Sequence, residues 1–388
     1  MYKVLTLNNI SVNGLERLPR DGYEIASEIQ HPDAILLRSY KMHDMDVPAS
    51  LKCIGRAGAG VNNIPVDKMS SLGIPVFNAP GANANAVKEL VVAGMLLAAR
   101  NICGAWDYTR RLEGDDATLN KLVEQGKKEY AGFELAGKTL GVIGLGAIGR
   151  LVANAGISMG MKVVGFDPGI TVEGAWQLSA NVEKATSVDD LLSRVDFVTF
   201  HVPLIDATKN LINADRLKIM RNGVTILNFA RAGIVDDSAT IAAINTGKVK
   251  AYVTDFPSNE TKGIPGVINL PHLGASTEEA EDNCAIMVAD QIKDYLENGN
   301  ILNSVNFPEV IMPRSEGVRL AIANQNVPNM VGQITTKLAD AGINIIDLLN
   351  RSKGDVAYTL LDVNEKPSEE TVSALTSIAG VLNVRVLG

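Results

Sequence analysis

Three side chains that can hold an organic acid and move a proton each follow a predicted strand end in residues 224–274. They are Arg231, Glu260 and His272. A guanidinium can hold a carboxylate with two hydrogen bonds and polarise a neighbouring carbonyl. A carboxylate beside an imidazole fixes the tautomer of the ring and favours its protonated form. The pattern predicts acid–base chemistry on a 2-hydroxy acid, with His272 taking the hydroxyl proton.

His272 is the strongest proton carrier among the four histidines. Such a group should titrate near neutrality, which makes histidine the first choice. His31 and His43 lie in polar sequence, where surface exposure is the usual outcome. His201 follows a strand end, and we expect it to lie near the adenosine side of a bound nucleotide. The plain alternative for His272 is a strand-end imidazole that only bonds the backbone.

A glycine-rich turn in residues 139–149, TLGVIGLGAIG, predicts a phosphate-binding loop. An apolar strand leads into it and an apolar helix follows. Gly144 allows a tight turn, Gly146 lets the backbone approach a pyrophosphate, and Gly149 lets the helix pack closely on the strand. The helix N-terminus then faces the phosphates with free amides. An ordinary glycine-rich loop is the alternative, but strand, glycines and helix agree with dinucleotide binding.

Asp167 predicts which dinucleotide binds. It ends the next apolar strand, 23 residues after Gly144. That offset suits an acid that bonds the 2′-hydroxyl of a ribose. Residues 168–170 are Pro, Gly and Ile, so no arginine stands there to take a 2′-phosphate. The sequence therefore favours NAD over NADP.

Composition limits the function classes. The chain has 388 residues, which predicts two or three domains. A net charge of −8 argues against general affinity for nucleic acid or anionic membrane, so an anionic substrate needs a local basic cluster. Three isolated cysteines without metal-ligand spacing fit a reduced, cytoplasmic compartment and predict no metal site. No signal peptide or membrane-spanning run is expected.

Alternating strands and helices predict an α/β protein with two doubly wound parallel-sheet domains, Rossmann-like and flavodoxin-like. The first comprises residues 1–90 and 275–308, and its strand-end loops at 38–39, 55–60 and 78–83 should converge on one cleft. The second, residues 91–274, should contain six or seven strands. A linker at 308–316 precedes residues 316–388, whose βαββαβ order predicts a ferredoxin-like domain.

The chain resembles the D-isomer-specific 2-hydroxyacid dehydrogenase family over essentially its whole length. The most specific pieces are GRAGAG at 55–60, GKTLGVIGLGAIG at 137–149, NFARAGIVD at 228–236 and PHLGAST at 271–277. The resemblance implies catalytic roles for Arg231, Glu260 and His272. It implies that Asp255 holds the nicotinamide carboxamide.

Further site residues complete this prediction. The resemblance implies substrate contacts from the first domain and from a dimer arm of the nucleotide domain: Arg38, Ser39, Arg56, Gly58, Asn83, Lys127 and Lys128. The two lysines would reach the substrate phosphate of a partner chain, although a solvated surface is the plainer interpretation of them. The predicted cofactor contacts, besides those above, are Ala147, Ile148, His201, Val202, Pro203, Thr208, Phe229, Ala230 and Gly274.

The activity implied by the resemblance is NAD-dependent oxidation of 3-phospho-D-glycerate to 3-phosphohydroxypyruvate, the entry step to serine biosynthesis. One alternative is a reductase of an unphosphorylated 2-oxo acid such as glyoxylate or hydroxypyruvate. Another is a non-catalytic NAD-sensing, corepressor-like protein. The direction of flux stays open.

The C-terminal region resembles the ACT regulatory domain, which pairs edge to edge and binds amino acids. The resemblance implies an effector site at Asn324, Asn326 and Asn344. Asn324 replaces a histidine of the pattern and Asn329 replaces a glycine, so the identity of the amino acid stays open. The alternative is a module for assembly only. The expected state is a homodimer or homotetramer.

Overall fold

The structure is a computed structural model that describes all of residues 1–388, and the chain divides into two compact units. The first unit consists of residues 1–82 and 278–388, and the second of residues 83–277. Each unit has its own sheets and buried apolar clusters.

The N-terminal part of the first unit is a five-stranded parallel sheet in the order β2-β1-β3-β4-β5. Its central strand β3 has the sequence AILL and is buried throughout, as expected for a strand covered on both faces. The elements are β1 (Tyr2–Leu7), α1 (Val12–Leu15), β2 (Tyr23–Ala26), β3 (Ala34–Leu37), β4 (Cys53–Arg56), α2 (Val66–Ser71) and β5 (Val76–Phe77).

The second unit is built on a seven-stranded parallel sheet in the order β12-β11-β10-β9-β6-β7-β8. From β6 the chain adds β7 and β8 on one side of the sheet, and it then adds β9 to β12 on the other side of β6. The switch point of the sheet therefore lies between β6 and β9. Ligands of open α/β sheets bind at such a point. The elements are α3 (Ala84–Ala99), α4 (Ile102–Arg110), α5 (Asp116–Gly126), a 3₁₀ turn (Lys127–Tyr130), β6 (Thr139–Ile143), α6 (Ala147–Ser158), β7 (Lys162–Phe166), α7 (Val172–Trp176), β8 (Val182–Lys184), α8 (Val188–Arg194), β9 (Phe197–Phe200), α9 (Ala214–Ile219), β10 (Val224–Asn228), α10 (Asp237–Asn245), β11 (Val249–Thr254) and β12 (Val267–Asn269).

The last part of the chain returns to the first unit and forms a four-stranded antiparallel sheet in the order β14-β15-β13-β16. The predicted βαββαβ order is confirmed. The elements are α11 (Glu278–Asn298), β13 (Val318–Gln325), α12 (Met330–Asp340), β14 (Ile345–Lys353), β15 (Val356–Val363), α13 (Glu369–Thr376) and β16 (Val381–Leu387).

Both faces of the C-terminal sheet are buried. Leu320 and Ile322 pack under α12 and α13. Their neighbours Ala321 and Ala323 point to the opposite face, where they join the same apolar cluster as Val4 of the first sheet. The strand alternates sides with every residue, so one strand serves two cores. The C-terminal sheet thus belongs to the same compact unit as residues 1–82.

Two short strands escaped prediction. β2 is an edge strand of four residues, and β8 is an edge strand of three with the sequence VEK. Strands this short show too little periodicity to separate them from loops. Among the helices, none combines the length and the apolar character that a crossing of a lipid bilayer requires.

Candidate active site

The glycine turn after β6 is shaped by backbone contacts that exclude any side chain. Gly144 has a φ of +89°, and a Cβ there would lie 2.5 Å from the carbonyl oxygen of His201. A Cβ on Gly149 would lie 1.9 Å from the carbonyl oxygen of Gly144. Gly146 is different, since a Cβ there would meet nothing within 4 Å. Gly144 and Gly149 are needed for the fold, and Gly146 leaves space for a ligand.

The open space at Gly146 lies at the start of α6, where Gly146 is the N-cap and no side chain caps the helix. The first-turn amides, including those of Ala147 and Ile148, remain available to an anion. Asp167, beyond the end of β7, accepts hydrogen bonds from the amide of Leu145 (2.7 Å) and the amide of Gly169 (2.8 Å). The carboxylate is thereby fixed beside the glycine turn, and this arrangement fits the pyrophosphate and ribose of NAD.

His201 supports the same turn but cannot serve as a proton carrier near neutral pH. Burial lowers the pKa of its imidazole to about 3. Its Nε2 lies 3.1 Å from the hydroxyl of Thr199, and its Nδ1 has no hydrogen-bond partner. Beyond it, the Thr208 hydroxyl donates to the carbonyl of Pro203 and accepts from the amide of Ile205. These hydrogen bonds shape the loop after β9, at the switch point where the sequence predicted cofactor contacts.

His272 lies at a cavity of about 410 Å³ beyond the ends of β10, β11 and β12. Its side chain is exposed, and its ring centroid lies 4.9 Å from that of Phe256 at an interplanar angle of 55°. The cavity is lined by Ala232, Gly233, Asp237, Tyr252, Asp255, Phe256, Pro257, Ser258 and His272. An accessible imidazole with an apolar ring against it can exchange a proton with a bound molecule.

Asp255 follows β11 and is a buried carboxylate, 1% exposed. Neither of its oxygens has a hydrogen-bond partner of normal geometry. Burial raises the pKa of Asp255, and the nearness of His272 and of the Leu273 and Gly274 amides offsets part of that rise. A buried anion without partners is costly, so this carboxylate is suited to a cationic or hydrogen-bond-donating partner.

Arg231 is held by a turn that the sequence motif did not fully reveal. The side chain of Asn228 is buried; its amide donates to the carbonyl of Arg231 (2.9 Å), and its oxygen accepts from the amide of Ala230. Gly233, at a φ of +83°, permits the turn that follows. The exposed guanidinium donates to the carbonyl of Ala230 (2.7 Å). Asn228 is thus a positioning residue, and its place at a strand end was the available signal.

Glu260 does not meet His272. Its carboxylate is exposed and accepts a hydrogen bond from the hydroxyl of Ser238 at 3.0 Å. The neighbouring carboxylate of Asp237 accepts from Ser258 at 3.2 Å, and burial raises its pKa. The Glu260 carboxylate is directed toward the start of α10, where Ser238 lies, and its catalytic role stays a prediction.

In the first unit, Arg38 and Arg56 form a basic pair at the ends of β3 and β4. The Nε of Arg56 donates to the carbonyl of Arg38 (3.0 Å), and the Arg38 guanidinium lies 2.6 Å from the carboxylate of Glu281. Gly58 has a φ of +147°, and a Cβ there would lie 1.8 Å from the Arg56 guanidinium. The lack of a side chain at Gly58 therefore leaves room for the Arg56 side chain.

Asn8 and Asn9 belong beside this pair and were not predicted. The Asn8 side chain accepts from the amides of Ser39 (3.0 Å) and Tyr40 (2.6 Å), and Asn8 itself has a φ of +76°. Together with Asn9, Arg38 and Ser39 it lines an open hollow of about 540 Å³. The signal was its position just past the first strand, at the same sheet edge as the predicted loops.

The remaining predicted contacts lie in the second unit. Asn83 is the N-cap of α3, yet its side chain makes no capping hydrogen bond and is free for other contacts. Lys127 and Lys128 lie in the exposed 3₁₀ turn, where Lys127 pairs with Glu124. Phe229 and Ala230 are buried at the end of β10.

Comparison with known proteins agrees with this architecture. Residues 92–274 match the family described as D-isomer specific 2-hydroxyacid dehydrogenase, NAD binding domain. D-3-phosphoglycerate dehydrogenase of Haemophilus influenzae is 32% identical over 95% of this chain and 89% of its own length. That of Escherichia coli is 30% identical over 99% and 97%. That of Methanocaldococcus jannaschii is 35% identical over 92% of this chain and 67% of its own length. The chain belongs to the D-3-phosphoglycerate dehydrogenase family.

A solved relative of this family extends the likeness to the fold. The NAD⁺-bound 3-phosphoglycerate dehydrogenase of Entamoeba histolytica superposes with a TM-score of 0.60 at 26% identity, over 79% of this chain and 98% of that one. D-mandelate dehydrogenase of Rhodotorula graminis has a TM-score of 0.66 at 23% identity over 81% and 99%, which speaks for the fold alone. This member of the dehydrogenase family is an NAD-dependent enzyme.

The predicted effector residues of this dehydrogenase do not come together within one chain. Asn324 is buried at the end of β13, and the exposed Asn326 side chain donates to the carbonyl of Gly354. Asn344 lies directly before β14, whose first residue, Ile345, pairs with Val363 of β15. Val363 also pairs with Val318 at the start of β13. Six residues of strand separate the two ends, on the order of 20 Å. The three asparagines therefore form no single site in one copy.

A first prediction concerns cofactor choice in this dehydrogenase. Asp167→Ser should lower kcat/KM for NAD by roughly 10- to 100-fold, since a charge-assisted hydrogen bond contributes about 1.5–3 kcal/mol. Activity with NADP should rise or stay constant because the repulsive charge is gone. Steady-state rates with both cofactors measure the ratio. Asp215→Ala, which removes an 89% exposed carboxylate, is the control, and an unchanged NAD-to-NADP ratio in Asp167→Ser would contradict the assignment.

Proposed function

We propose that this dehydrogenase oxidises 3-phospho-D-glycerate to 3-phosphohydroxypyruvate with NAD, at the start of serine synthesis. The observation that carries the proposal is the accessible His272 imidazole at the ends of the sheet whose switch point carries the glycine turn. The basic pair Arg38 and Arg56 in the first unit supports a phosphorylated, anionic substrate. In a chain of net charge −8, such local cations are required.

The proposed mechanism divides the work among the chain's own groups. A bound NAD, held at the glycine turn and Asp167, would supply the acceptor for the hydride that leaves C2 of the hydroxy acid. Arg231 holds the substrate carboxylate and polarises the developing carbonyl. Neutral His272 takes the hydroxyl proton as the C2–H bond breaks, so that the C–O bond becomes a carbonyl. In the first unit, the basic pair Arg38 and Arg56 offers the positive charge that a phosphate requires.

We also propose a dimer formed through residues 102–130 of the second unit. Neither α4 nor α5 nor the 3₁₀ turn has a single buried residue. Trp106 is 63% exposed, with Ile102 and Val123 exposed on the same segment. An apolar surface of this kind on a helical arm favours a protein partner. A second copy would also place Lys127 and Lys128 beside another chain.

For the C-terminal sheet we propose amino-acid binding shared by two copies. Because Asn324 and Asn326 lie at one end of the sheet and Asn344 at the other, a site built from all three needs a second chain. Calorimetric titration with serine, glycine and other amino acids tests this proposal. Assembly without any binding would leave the sheet a module for association alone.

A substrate panel with NAD and NADH tests the catalytic proposal. We expect turnover of 3-phospho-D-glycerate forward and of 3-phosphohydroxypyruvate in reverse, each far above glyoxylate and unphosphorylated hydroxypyruvate. Arg56→Gln should raise KM for the phosphorylated compounds much more than for glyoxylate. Efficient glyoxylate reduction without phosphorylated turnover would assign an unphosphorylated 2-oxo acid, and NAD binding without any turnover would assign a sensing protein.

A further inference from the structure

The Arg38 guanidinium of the first unit has an ionic partner on its own chain, the carboxylate of Glu281. Nη1 of Arg38 lies 2.6 Å from Oε1 of Glu281. We propose that Glu281 is a specificity-determining residue, an internal anion that the substrate phosphate replaces on Arg38 and that limits how tightly a phosphate is held. This inference deepens the proposed function, and it rests on Arg38 and Arg56 as the phosphate site.

The position of Glu281 is set by the packing of α11 on the rest of the first unit. A Cβ on Gly14 of α1 would lie 2.5 Å from the Cβ of Ala285 on α11. A Cβ on Gly55 of β4 would lie 2.3 Å from Cγ1 of Val288 on the same helix. The helix is therefore in direct contact with α1 and with the strand whose last residue belongs to the basic pair.

The first turn of α11 is also attached through the residue next to Glu281. Asp282 accepts hydrogen bonds from the hydroxyl of Ser11 and from the side-chain amide of Asn13, the latter at 2.7 Å. The backbone that carries Glu281 is thus fixed by packing and by hydrogen bonds. An ion pair on such a backbone loses less conformational freedom than one between two mobile segments.

The charges around Arg38 give Glu281 its effect on an anionic ligand. Arg38 and Arg56 lie together, since Nε of Arg56 donates to the carbonyl of Arg38. Glu281 cancels one of their two positive charges. The Coulomb energy scales with the product of the charges, so Glu281 weakens the hold on a phosphate dianion about twice as much as on a carboxylate. A neutral hydroxymethyl group at the same place is not affected.

The other groups around the basic pair leave this charge balance unchanged. Cys284, one turn after Glu281 on α11, is 4% exposed, and burial raises the pKa of its thiol. The nearby Arg56 and Arg38 oppose this rise in pKa and Glu281 adds to it, and the thiol stays neutral. The remaining residues that line the hollow beside Arg38 are uncharged: Asn8, Asn9 and Ser39.

The exposure of the two side chains permits the exchange of partners. The side chain of Arg38 is 36% exposed and that of Glu281 is 44% exposed. An ion pair this accessible to water is weak, and a competing anion can open it. A phosphate presents three oxygens and nearly two negative charges, so it is the stronger partner for a guanidinium. Glu281 therefore restrains phosphate binding without preventing it.

The test compares Glu281→Gln with the matched control Glu279→Gln, which removes the same charge from an exposed residue of the same helical turn. Glutamine keeps the length of the side chain and can still accept a hydrogen bond from Arg38, so both variants should fold. Reduction of 3-phosphohydroxypyruvate and of unphosphorylated hydroxypyruvate is followed with NADH at low ionic strength. The pH is held at about 8, where a phosphate group is a dianion.

Glu281→Gln should lower KM for 3-phosphohydroxypyruvate by roughly threefold to tenfold, because the second positive charge of the basic pair is no longer cancelled. The KM for hydroxypyruvate should stay within about twofold, as should both values in Glu279→Gln, where the lost charge is exposed and screened. An unchanged or higher KM for the phosphorylated compound in Glu281→Gln would overturn the proposal. An equal fall in both variants would also overturn it, since a general change of field would then suffice.

A binding experiment separates this inference from the proposed reaction. Inorganic phosphate is titrated calorimetrically into the full chain without substrate, and it should bind Glu281→Gln more tightly than the wild type by the same factor. Tighter binding without turnover of any phosphorylated compound would count against the proposed function alone. Turnover with equal phosphate affinity in wild type and Glu281→Gln would count against the inference alone. No phosphate binding in any of the three proteins would overturn the phosphate site and the inference with it.

Discussion

Replacing His272 with glutamine is expected to lower kcat/KM for the oxidation by about 10²- to 10⁴-fold, the usual contribution of a positioned general base. The amide keeps hydrogen-bonding capacity but cannot take the hydroxyl proton. Because the side chain is exposed at the cavity, the variant should fold normally. Steady-state kinetics at saturating NAD give the effect, and fluorescence titration with NADH should give a nearly unchanged Kd.

His43→Gln is the matched control, since it removes an exposed imidazole from the first unit. It should retain wild-type rates. If His272→Gln kept more than about a tenth of the wild-type kcat/KM, a general-base role for His272 would be excluded, because even a modest base contributes about 10²-fold. His201 could not replace it, since burial holds the pKa of that imidazole at about 3 and keeps it neutral.

Much of the fold and the cofactor loop followed from the sequence because local rules determine them. Gly144 needs a positive φ, Gly149 must allow contact between backbones, and Asp167 ends a buried strand at a fixed offset. Each requirement involves neighbours in sequence or in the same βαβ unit, so residue type and spacing are sufficient evidence. The long buried strands, such as β3 and β10, were visible for the same reason.

The parts of the site that the sequence did not predict depend on the direction that side chains take after a strand has ended. Glu260 follows β11 by six residues, and nothing local states whether it turns toward His272 or toward Ser238. Position 344 has the expected asparagine, but its distance from Asn324 follows from the order of the strands in the sheet. The βαββαβ pattern does not show where a ligand would lie in that order. The direction of side chains in loops and the arrangement of distant strands thus limit the prediction of a site more than residue type does.

A buried arginine joins the C-terminal sheet to the rest of the first unit. Arg319 is fully buried, and all five of its N–H groups are used. Two bonds go to Asp362 at 2.6 and 2.8 Å, and three go to the carbonyls of Asn298, Met312 and Pro313. The guanidinium therefore fastens β13 to the end of α11 and to the segment that the sequence predicted as a linker.

Arg319→Leu should consequently lower the free energy of unfolding by about 3–5 kcal/mol, because it leaves the buried Asp362 carboxylate without its counter-charge. Urea denaturation measures the loss. Arg351→Leu, on the exposed β14, is the control and should change stability by less than about 0.5 kcal/mol. The double variant Arg319→Leu/Asp362→Leu should recover part of the loss, since it removes the stranded charge. A loss below about 1 kcal/mol in the single variant would contradict the role of this pair.

The same pair predicts how stability depends on pH. Burial alone would raise the pKa of Asp362, but hydrogen bonds from Arg319 and Ser315 outweigh it and lower the pKa to about 2, from an ordinary value of 3.8. A carboxyl whose pKa is lower in the folded state stabilises the fold above the unfolded value. The contribution, about 2 kcal/mol, is therefore fully present above pH 4 and is lost as pH falls toward 2. Urea titrations of Arg319→Leu should lack this loss between pH 4 and 2, because the cation that lowers the pKa of Asp362 is absent.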